Sequence, residues 1–301
     1  MTGLGLGTAP IGNMFTGVTD DDAGATVDAA WDGGIRYFDT APLYGHGIAE
    51  RRLGRALRAR PRDGYVLATK VGRVLDPAGV ERAPTIFTGV GDLEPRFDYS
   101  RDAVLRSLEE SLIRLGTDHV DVALVHDPDL HEDDALSHAF PALVELRGEG
   151  VVKAIGAGMN QSEMLDRFVA QVDLDCVLLA GRYSLLDRNG GELLTRCAER
   201  GVGVTLGGVF NTGVLIDPDL NRTYDYAPAS ADVLARARRL RDGCDAHGIA
   251  LGAAALQFAM GHPAVSTVLV GARSPAEIAR DVEFAAMAID AGVLREIAQT
   301  E

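Results

Sequence analysis

Apolar residues recur along this chain in two alternating rhythms. Short runs of five or six residues, rich in Val, Ile and Leu, are followed by longer stretches whose apolar positions recur every three to four residues. The first rhythm suits a buried strand and the second an amphipathic helix. Strands are predicted at 4–8, 35–39, 65–70, 120–125, 152–157, 175–180, 202–206 and 266–270. Helices are predicted after them at 20–33, 46–59, 99–115, 133–148, 161–171, 188–200, 230–246 and 275–287. A further helix at 249–260 precedes the last strand, and a short one closes the chain. Eight strand-then-helix units predict parallel strands with helical crossovers, and an even eight favours closure into a (β/α)8 TIM barrel. An open doubly wound sheet is the structural alternative. No repeat, low-complexity segment or Pro/Gly/Ser linker divides the chain, so residues 1–301 are expected to form one α/β barrel domain. The first strand begins at residue 4, which leaves the barrel bottom without an N-terminal cover in this reading.

Two connections are longer than turns. Val71 to Phe97 follows the third strand and Gly207 to Ala229 follows the seventh. Both leave C-terminal strand ends, the face on which barrel active sites are built, and loops beyond ~12–15 residues are usually functional or disordered.

Composition narrows the function. The chain is 47% apolar and 24% charged, enough to bury a large core. No apolar run reaches the ~20 residues of a membrane span, and no charged-then-apolar signal segment opens the chain, so no membrane partner and a cytoplasmic location are expected. A net charge of −15 disfavours a nucleic-acid partner. Three cysteines, Cys176, Cys197 and Cys244, form no CxxC pair, and the seven histidines suggest no metal cluster. Of the 29 basic residues only Lys70 and Lys153 are lysines. That scarcity raises the question of what those two positions need that Arg cannot supply.

Polar residues gather at predicted strand ends. Asp39 ends the second strand, Tyr44 follows five residues later, Lys70 ends the third strand and His126 follows the fourth. In a parallel barrel these ends share one mouth. A free Tyr, with a pKa near ~10, is a poor base at neutral pH. A nearby ammonium stabilises the phenolate and lowers that pKa, and a carboxylate behind the Lys keeps it charged. Tyr44 can then exchange a proton with a substrate oxygen that a neutral His126 orients, which suits hydride transfer between an alcohol and a carbonyl with a nicotinamide as partner. A compact ammonium does this beneath a phenol better than a planar guanidinium, which accounts for Lys70. Lys153 starts a strand and is expected to be an ordinary surface charge at the opposite end. Taken singly, each residue also has a plain structural use, in a turn, a packed loop or a satisfied core position.

After the last strand, Ser274, Pro275 and Glu277 form a helix N-terminus signature. Simple capping explains it; so does an anion or ribose site, since free N–H groups and the helix dipole point outward there. Gly271 would admit a ligand close to the backbone, and Arg273 could reach a phosphate or stack on adenine. Sequences of the type GxGxxG, GxxxxGK[ST], Tyr-x-x-x-Lys and HExxH are absent.

These residues, in the stretches GLGTAPIG (3–12), GIRYFDTAPLYGHGIAERRLGRAL (34–57), VLATKVGR (66–73), SLEESLIRLGTDHVDVALVHDPD (107–129), AIGAGMNQ (154–161) and VLVGARSPAEI (268–278), resemble the aldo-keto reductase family over essentially the whole chain. The resemblance implies a metal-free tetrad. In it Asp39 orients Lys70, Lys70 tunes Tyr44, Tyr44 exchanges the proton and His126 holds the substrate oxygen. It further implies that Asn160 holds the nicotinamide carboxamide and that Gly7 and Thr8 lie beneath the ring. Phe210, Asn211 and Thr212 would lie over the pyrophosphate, and Gly271, Arg273, Ser274, Glu277 and Asp281 would lie at the adenosine end. HDPD, GAGMNQ and GRYSLLD (181–187) are closer to the branch containing D-threo-aldose 1-dehydrogenases, L-fucose dehydrogenases and pyridoxal 4-dehydrogenase. That branch oxidises a hemiacetal to a lactone, usually with NAD.

Several positions depart from the family pattern. Met159 replaces a Ser, Ala180 a Gln, and Gly207 the Tyr that often stacks on nicotinamide. Glu277 stands where NADPH-specific members carry a cation, so NAD is favoured as cofactor, with NADP left open by Arg273. The expected activity is oxidation of a sugar-like hemiacetal or a similar small-molecule substrate. The alternatives are an NADPH-dependent carbonyl reductase acting on aldehydes and a non-catalytic cofactor-binding regulatory subunit. Met14, Phe15, Phe87 and Phe97 are expected to set selectivity from the long loops. The sequence leaves the oligomeric state open, with monomer the default for the family.

Overall fold

The computed structural model describes residues 3–79 and 83–300. In chain order its strands are β1 (Leu4–Gly7), β2 (Tyr37–Asp39), β3 (Val66–Val71), β4 (Arg73–Pro77), β5 (Leu93–Phe97), β6 (Val120–His126), β7 (Val152–Met159), β8 (Cys176–Ala180), β9 (Gly203–Gly207), β10 (Thr223–Tyr224), β11 (Ala227–Pro228) and β12 (Val265–Gly271). Eight of them close into a parallel barrel in the order β1-β2-β3-β6-β7-β8-β9-β12, with β12 returning to β1. All eight predicted barrel strands form, each joined to the next through helix.

Strand periodicity sorts the residues between two cores. Tyr37, Ala68, Val122, Leu124, Leu178 and Leu269 fill the barrel interior. Their neighbours Phe38, Leu67, Ala123, Val125, Val177, Leu179, Val268 and Val270 face outward and pack with the helices. Because side chains alternate along a strand, the residue two beyond an interior one also points inward. Asp39 follows Tyr37, Lys70 follows Ala68, and His126 follows Leu124 in this way. The pairing register, with Asp39 opposite Ala68, Lys70 opposite Leu124 and His126 opposite Gly158, brings the three to one end of the barrel.

Differences from the predicted boundaries have local causes. β2 starts at Tyr37 because Ile35 is still part of the preceding turn, its N–H donating to Ala30. The helix predicted from residue 46 begins at Ile48, since Gly45, His46 and Gly47 all adopt left-handed φ. The helix predicted over 133–148 is interrupted by a wider π segment, Ala135–Ala139. It lies just upstream of Pro141, whose missing N–H removes one bond of the α ladder.

Neither long connection is irregular throughout. β4 and β5 pair antiparallel, from Arg73 opposite Phe97 to Pro77 opposite Leu93. Residues 80–82, within that connection, lie outside the described residues. β10 and β11 form a second hairpin whose two turn residues, Asp225 and Tyr226, both have left-handed φ (49° and 63°). Such turns favour Asn-Gly, so Asp-Tyr here is held by its surroundings: Arg182 pairs with Asp225 at 2.8 Å, and the Tyr226 N–H donates to Thr212 Oγ1.

Candidate active site

Tyr44 is carried by the turn between β2 and the helix Ile48–Leu57. That turn is tight: a Cβ on Gly45, whose φ is +63°, would lie 2.3 Å from the carbonyl oxygen of Gly12. Only glycine fits there. Glu50, fully buried in the first turn of the following helix, accepts from Thr69 Oγ1 at 2.8 Å and from Arg114 Nε at 2.6 Å. These bonds tie the Tyr44 turn to β3, the strand that carries Lys70.

Lys70 is buried, and its ammonium uses all three N–H donors. It donates to Asp39 Oδ1 at 2.6 Å, to the Thr40 carbonyl at 2.9 Å and to the Tyr44 hydroxyl at 3.1 Å. Three acceptors arranged around one nitrogen match an ammonium and not a planar guanidinium. The His126 ring meets the Tyr44 ring edge-on, with centroids 5.9 Å apart. The Tyr99 hydroxyl holds the chain behind it by donating to the carbonyls of His126 and Asp127.

Electrostatics assign a state to each group. Burial alone would lower the Lys70 pKa, but Asp39 and Tyr44 outweigh burial and keep the amine protonated. Burial, with the cationic Lys70 and Arg73 nearby, drives His126 well below the ordinary histidine range, so its ring is neutral. For Tyr44 the net direction corrects the expectation from sequence. Burial pushes the phenol up to about 12, and Lys70 only moderates that rise. At neutral pH Tyr44 is therefore a protonated acid poised to donate, and its use as a base requires ionisation against burial.

Beside these groups opens a cleft of about 520 Å³. Gly7, Asp39, Tyr44, Asn160, Phe210, Asn211, Thr212, Gly271, Arg273 and Glu277 all line it. Lys70, His126, Thr8, Ser274 and Asp281 are not on that wall. Lys70 is buried against the Tyr44 hydroxyl, His126 is buried beside the Tyr44 ring, and Thr8 is fully buried with its N–H donating to the Asp39 carbonyl. Ser274 caps the helix Pro275–Ala286 by accepting from the Glu277 N–H, while Glu277 accepts from the Arg273 N–H at 2.8 Å. Asp281 is fully buried beside Arg280, which does line the cleft. Asn211 turns its amide inward to Ser184 and Gly181, so this residue pins the loop and leaves backbone facing the cleft. Gly271 has an internal reason to be glycine, because a Cβ there would lie 3.0 Å from Pro10.

The residues fit a nicotinamide dinucleotide. Thr8 Oγ1 and Asp39 Oδ2 are buried polar atoms with no partner among the described residues, and Asn160 is exposed at the end of β7. The Asn160 carbonyl is held by Arg182 Nε at 2.9 Å. Gly207 leaves the floor flat against Leu178 and Ala180 where a stacking ring was missing from the sequence.

Sequence reasoning missed Asp225 and Tyr226, which line the cleft from the second hairpin, Arg182, which follows β8 and pairs with Asp225, and Arg280. It also missed Asp127 and Arg73, which pair at 2.9 Å next to His126. The HDPD motif contained the one signal, an acid directly after the strand-end His. Of the residues expected to set selectivity, Met14 and Phe15 line the cleft, Phe87 packs on Tyr44, and Phe97 lies under Arg73. Lys153 is surface-exposed, as expected, and also neutralises the largely buried Asp121 at 2.6 Å.

Known proteins are similar to this chain over nearly its full length. A D-threo-aldose 1-dehydrogenase from a Pseudomonas species is 42% identical, covering 98% of this chain and 93% of the relative. A pyridoxal 4-dehydrogenase from Microbacterium luteolum is also 42% identical, covering 94% and 89%. An L-galactose dehydrogenase from Arabidopsis thaliana is 31% identical over 99% and 89%. Among solved structures, an aldo-keto reductase from Bacillus halodurans in its holo form superposes with a TM-score of 0.79 at 26% identity, covering 99% and 93%. The profile of the aldo/keto reductase family matches residues 3–301. With a closed parallel barrel and this profile spanning it, the chain belongs to the aldo/keto reductase family, whose members are oxidoreductases that use nicotinamide cofactors.

Proposed function

We propose that this chain oxidises the anomeric carbon of an aldose or similar hemiacetal to a lactone, with NAD as hydride acceptor. One observation carries the reading: a single buried ammonium donates at once to Asp39 and to Tyr44, beside a neutral His126. When bound, the oxidised nicotinamide supplies the acceptor for the hydride leaving the anomeric carbon. As that C–H bond breaks, the substrate hydroxyl proton passes to the Tyr44 oxygen and a carbonyl forms. His126 donates a hydrogen bond to the same substrate oxygen, and Lys70 offsets the charge that Tyr44 carries while ionised.

The substrate class is supported by the relatives named for D-threo-aldose, pyridoxal and L-galactose oxidation. NAD is supported by Glu277 on the cleft wall, a carboxylate that repels a ribose 2′-phosphate and can accept from ribose hydroxyls. The Arg273 guanidinium is already shared with it at 3.6 Å. Free cysteines at Cys176, Cys197 and Cys244 support a reducing, cytoplasmic setting, and monomer is taken as the default. Among the described residues no helix is long and apolar enough to cross a membrane.

A second reading has its own observation. The Tyr44 phenol, pushed up to about 12, is a ready proton donor at neutral pH and suits reduction of an aldehyde. Initial rates with NAD and NADP, measured in both directions on L-fucose, D-arabinose, L-galactose, pyridoxal and simple aldehydes, separate the two. Faster NAD-linked oxidation of a sugar is the expected result, and turnover confined to NADPH-driven aldehyde reduction would reject it. No turnover of any substrate would favour a cofactor-binding subunit.

A further inference from the structure

Directly after His126 the chain places a second ionisable side chain at the barrel mouth. Asp127 has a left-handed φ of 42°, uncommon for a residue with a side chain. Its conformation is fixed from both sides. The N–H donates to the Gly158 carbonyl at 3.0 Å, and the carbonyl accepts from the Tyr99 hydroxyl at 2.9 Å. So held, the carboxylate sits with Oδ2 3.5 Å from His126 Nε2 and 2.9 Å from the Arg73 guanidinium. Among the described residues nothing bonds its other oxygen, although the side chain is only 17% exposed. Burial first, and then the Asp127 charge, disfavour ionisation of the Tyr226 phenol in the turn of the second hairpin.

This placement has a cost unless a ligand uses it. A mostly buried carboxylate with one guanidinium partner has unused acceptor capacity, and an apolar substrate beside it would leave that capacity unfilled. Among the described residues His126 Nδ1 is buried without a partner, so the proton that Asp127 attracts belongs on Nε2. A substrate oxygen bonded to His126 Nε2 would then sit beside a carboxylate only 3.5 Å from that nitrogen, within reach of a hydroxyl on the neighbouring carbon. Resting on the reading that Tyr44 and His126 hold the reacting oxygen, we infer that Asp127 is a specificity-determining residue: its carboxylate accepts a hydrogen bond from a hydroxyl on the carbon next to the reacting carbon. The site thereby selects polyhydroxylated substrates over plain aldehydes or deoxy analogues. Burial pushes the Asp127 carboxyl up, and Arg73, stacked 4.4 Å over the Phe97 ring, opposes that push and aims the carboxylate, which gives the first hairpin a role in recognition.

The test compares an aldose with its 2-deoxy counterpart, NAD-linked, in the wild-type protein and in Asp127→Asn. A charge-assisted hydrogen bond predicts a wild-type preference in kcat/KM on the order of 10- to 100-fold, carried mainly by KM. In Asp127→Asn the preference falls to about threefold or less, while NADH fluorescence titration shows the cofactor cleft intact. A preference that survives the substitution, or equal losses on both substrates, would show a structural role and overturn the inference. So would a wild-type protein that does not discriminate, a result that needs no variant. If the wild type oxidises no aldose, the hemiacetal reading fails separately, and glyceraldehyde against propanal, reduced with NADH or NADPH, gives the same comparison. A protein that turns over none of these overturns both.

Discussion

The Nζ of Lys70 lies 3.1 Å from the Tyr44 hydroxyl oxygen and 4.7 Å from the centre of its ring, so one charge addresses both the polar end and the face of the same side chain. All three N–H donors of that ammonium are committed, to Asp39, Thr40 and Tyr44. Lys70→Arg keeps a cation but cannot aim three donors at Asp39, Thr40 and Tyr44, so kcat should fall by about 100-fold or more. Lys70→Met leaves Asp39 buried and unpaired and should also lower stability, by about 3–5 kcal/mol. Steady-state kinetics beside urea unfolding separates the two effects, with Lys70→Arg losing activity and Lys70→Met losing both.

The direction of the Tyr44 shift gives a pH dependence of defined sign. Oxidation needs the ionised phenol and reduction the protonated one. With the phenol pushed up to about 12, kcat/KM for oxidation should climb steadily across the alkaline range, while that for reduction stays level from neutral pH to pH 10. His126, held far below the ordinary histidine range, should contribute no break near pH 6–7. Rates measured in both directions from pH 6 to 10 check this, and an oxidation rate that falls with rising pH would contradict it.

Most of the barrel was legible because its signals are local. Alternation along β2, β3 and β6 sets Asp39, Lys70 and His126 on the inner face, and a parallel barrel brings their ends together whatever the loops do. Tyr44 was readable from its spacing to Asp39. The sign of its pKa shift was not, because the degree of burial depends on Phe87 and other residues distant in sequence. The hairpins β4–β5 and β10–β11 carry no Asn-Gly or Asp-Gly turn signal, and Asp225–Tyr226 keeps its left-handed turn through tertiary contacts with Arg182 and Thr212. For the same reason the pairing of Arg73 with Asp127, 54 positions apart, could not be read in advance.

Glu50 should be among the most sensitive positions for stability. It is fully buried and joins Thr69 on β3 to Arg114 on the helix Arg101–Leu115. Glu50→Ala takes the closer carboxylate from Arg114, whose side chain is only 10% exposed, leaving it Glu110 at 3.7 Å and Ser111 Oγ, and should cost about 3 kcal/mol. Thr69→Val, which removes one hydrogen bond and keeps the shape, should cost about 1–2 kcal/mol. Chemical denaturation of the two variants gives the comparison, and equal costs would show that the ion pair contributes nothing beyond packing.

Asp281 predicts the opposite response. Burial pushes its carboxyl up to about 6 against the pull of Arg280, and one oxygen has no partner among the described residues. A folded-state pKa above the unfolded value of ~3.9 means that the folded protein holds the proton more tightly, so this group's contribution to stability falls as pH rises from about 4 to 6 and stays lost above. Asp281→Asn, measured without cofactor, should therefore gain about 1–2 kcal/mol relative to wild type between pH 4 and pH 7. A difference in melting temperature that is flat over that range would place the carboxyl at its ordinary pKa.

The proton-transfer role of Tyr44 is tested most directly by single-turnover hydride transfer in Tyr44→Phe. The substitution removes one oxygen and leaves Lys70 bonded to Asp39 and Thr40. The rate should fall by at least about 1,000-fold while the dissociation constant for NADH, read by fluorescence, stays within about threefold. Hydride transfer within about tenfold of wild type, with NADH bound normally, would show that the proton leaves by another route and would contradict the account.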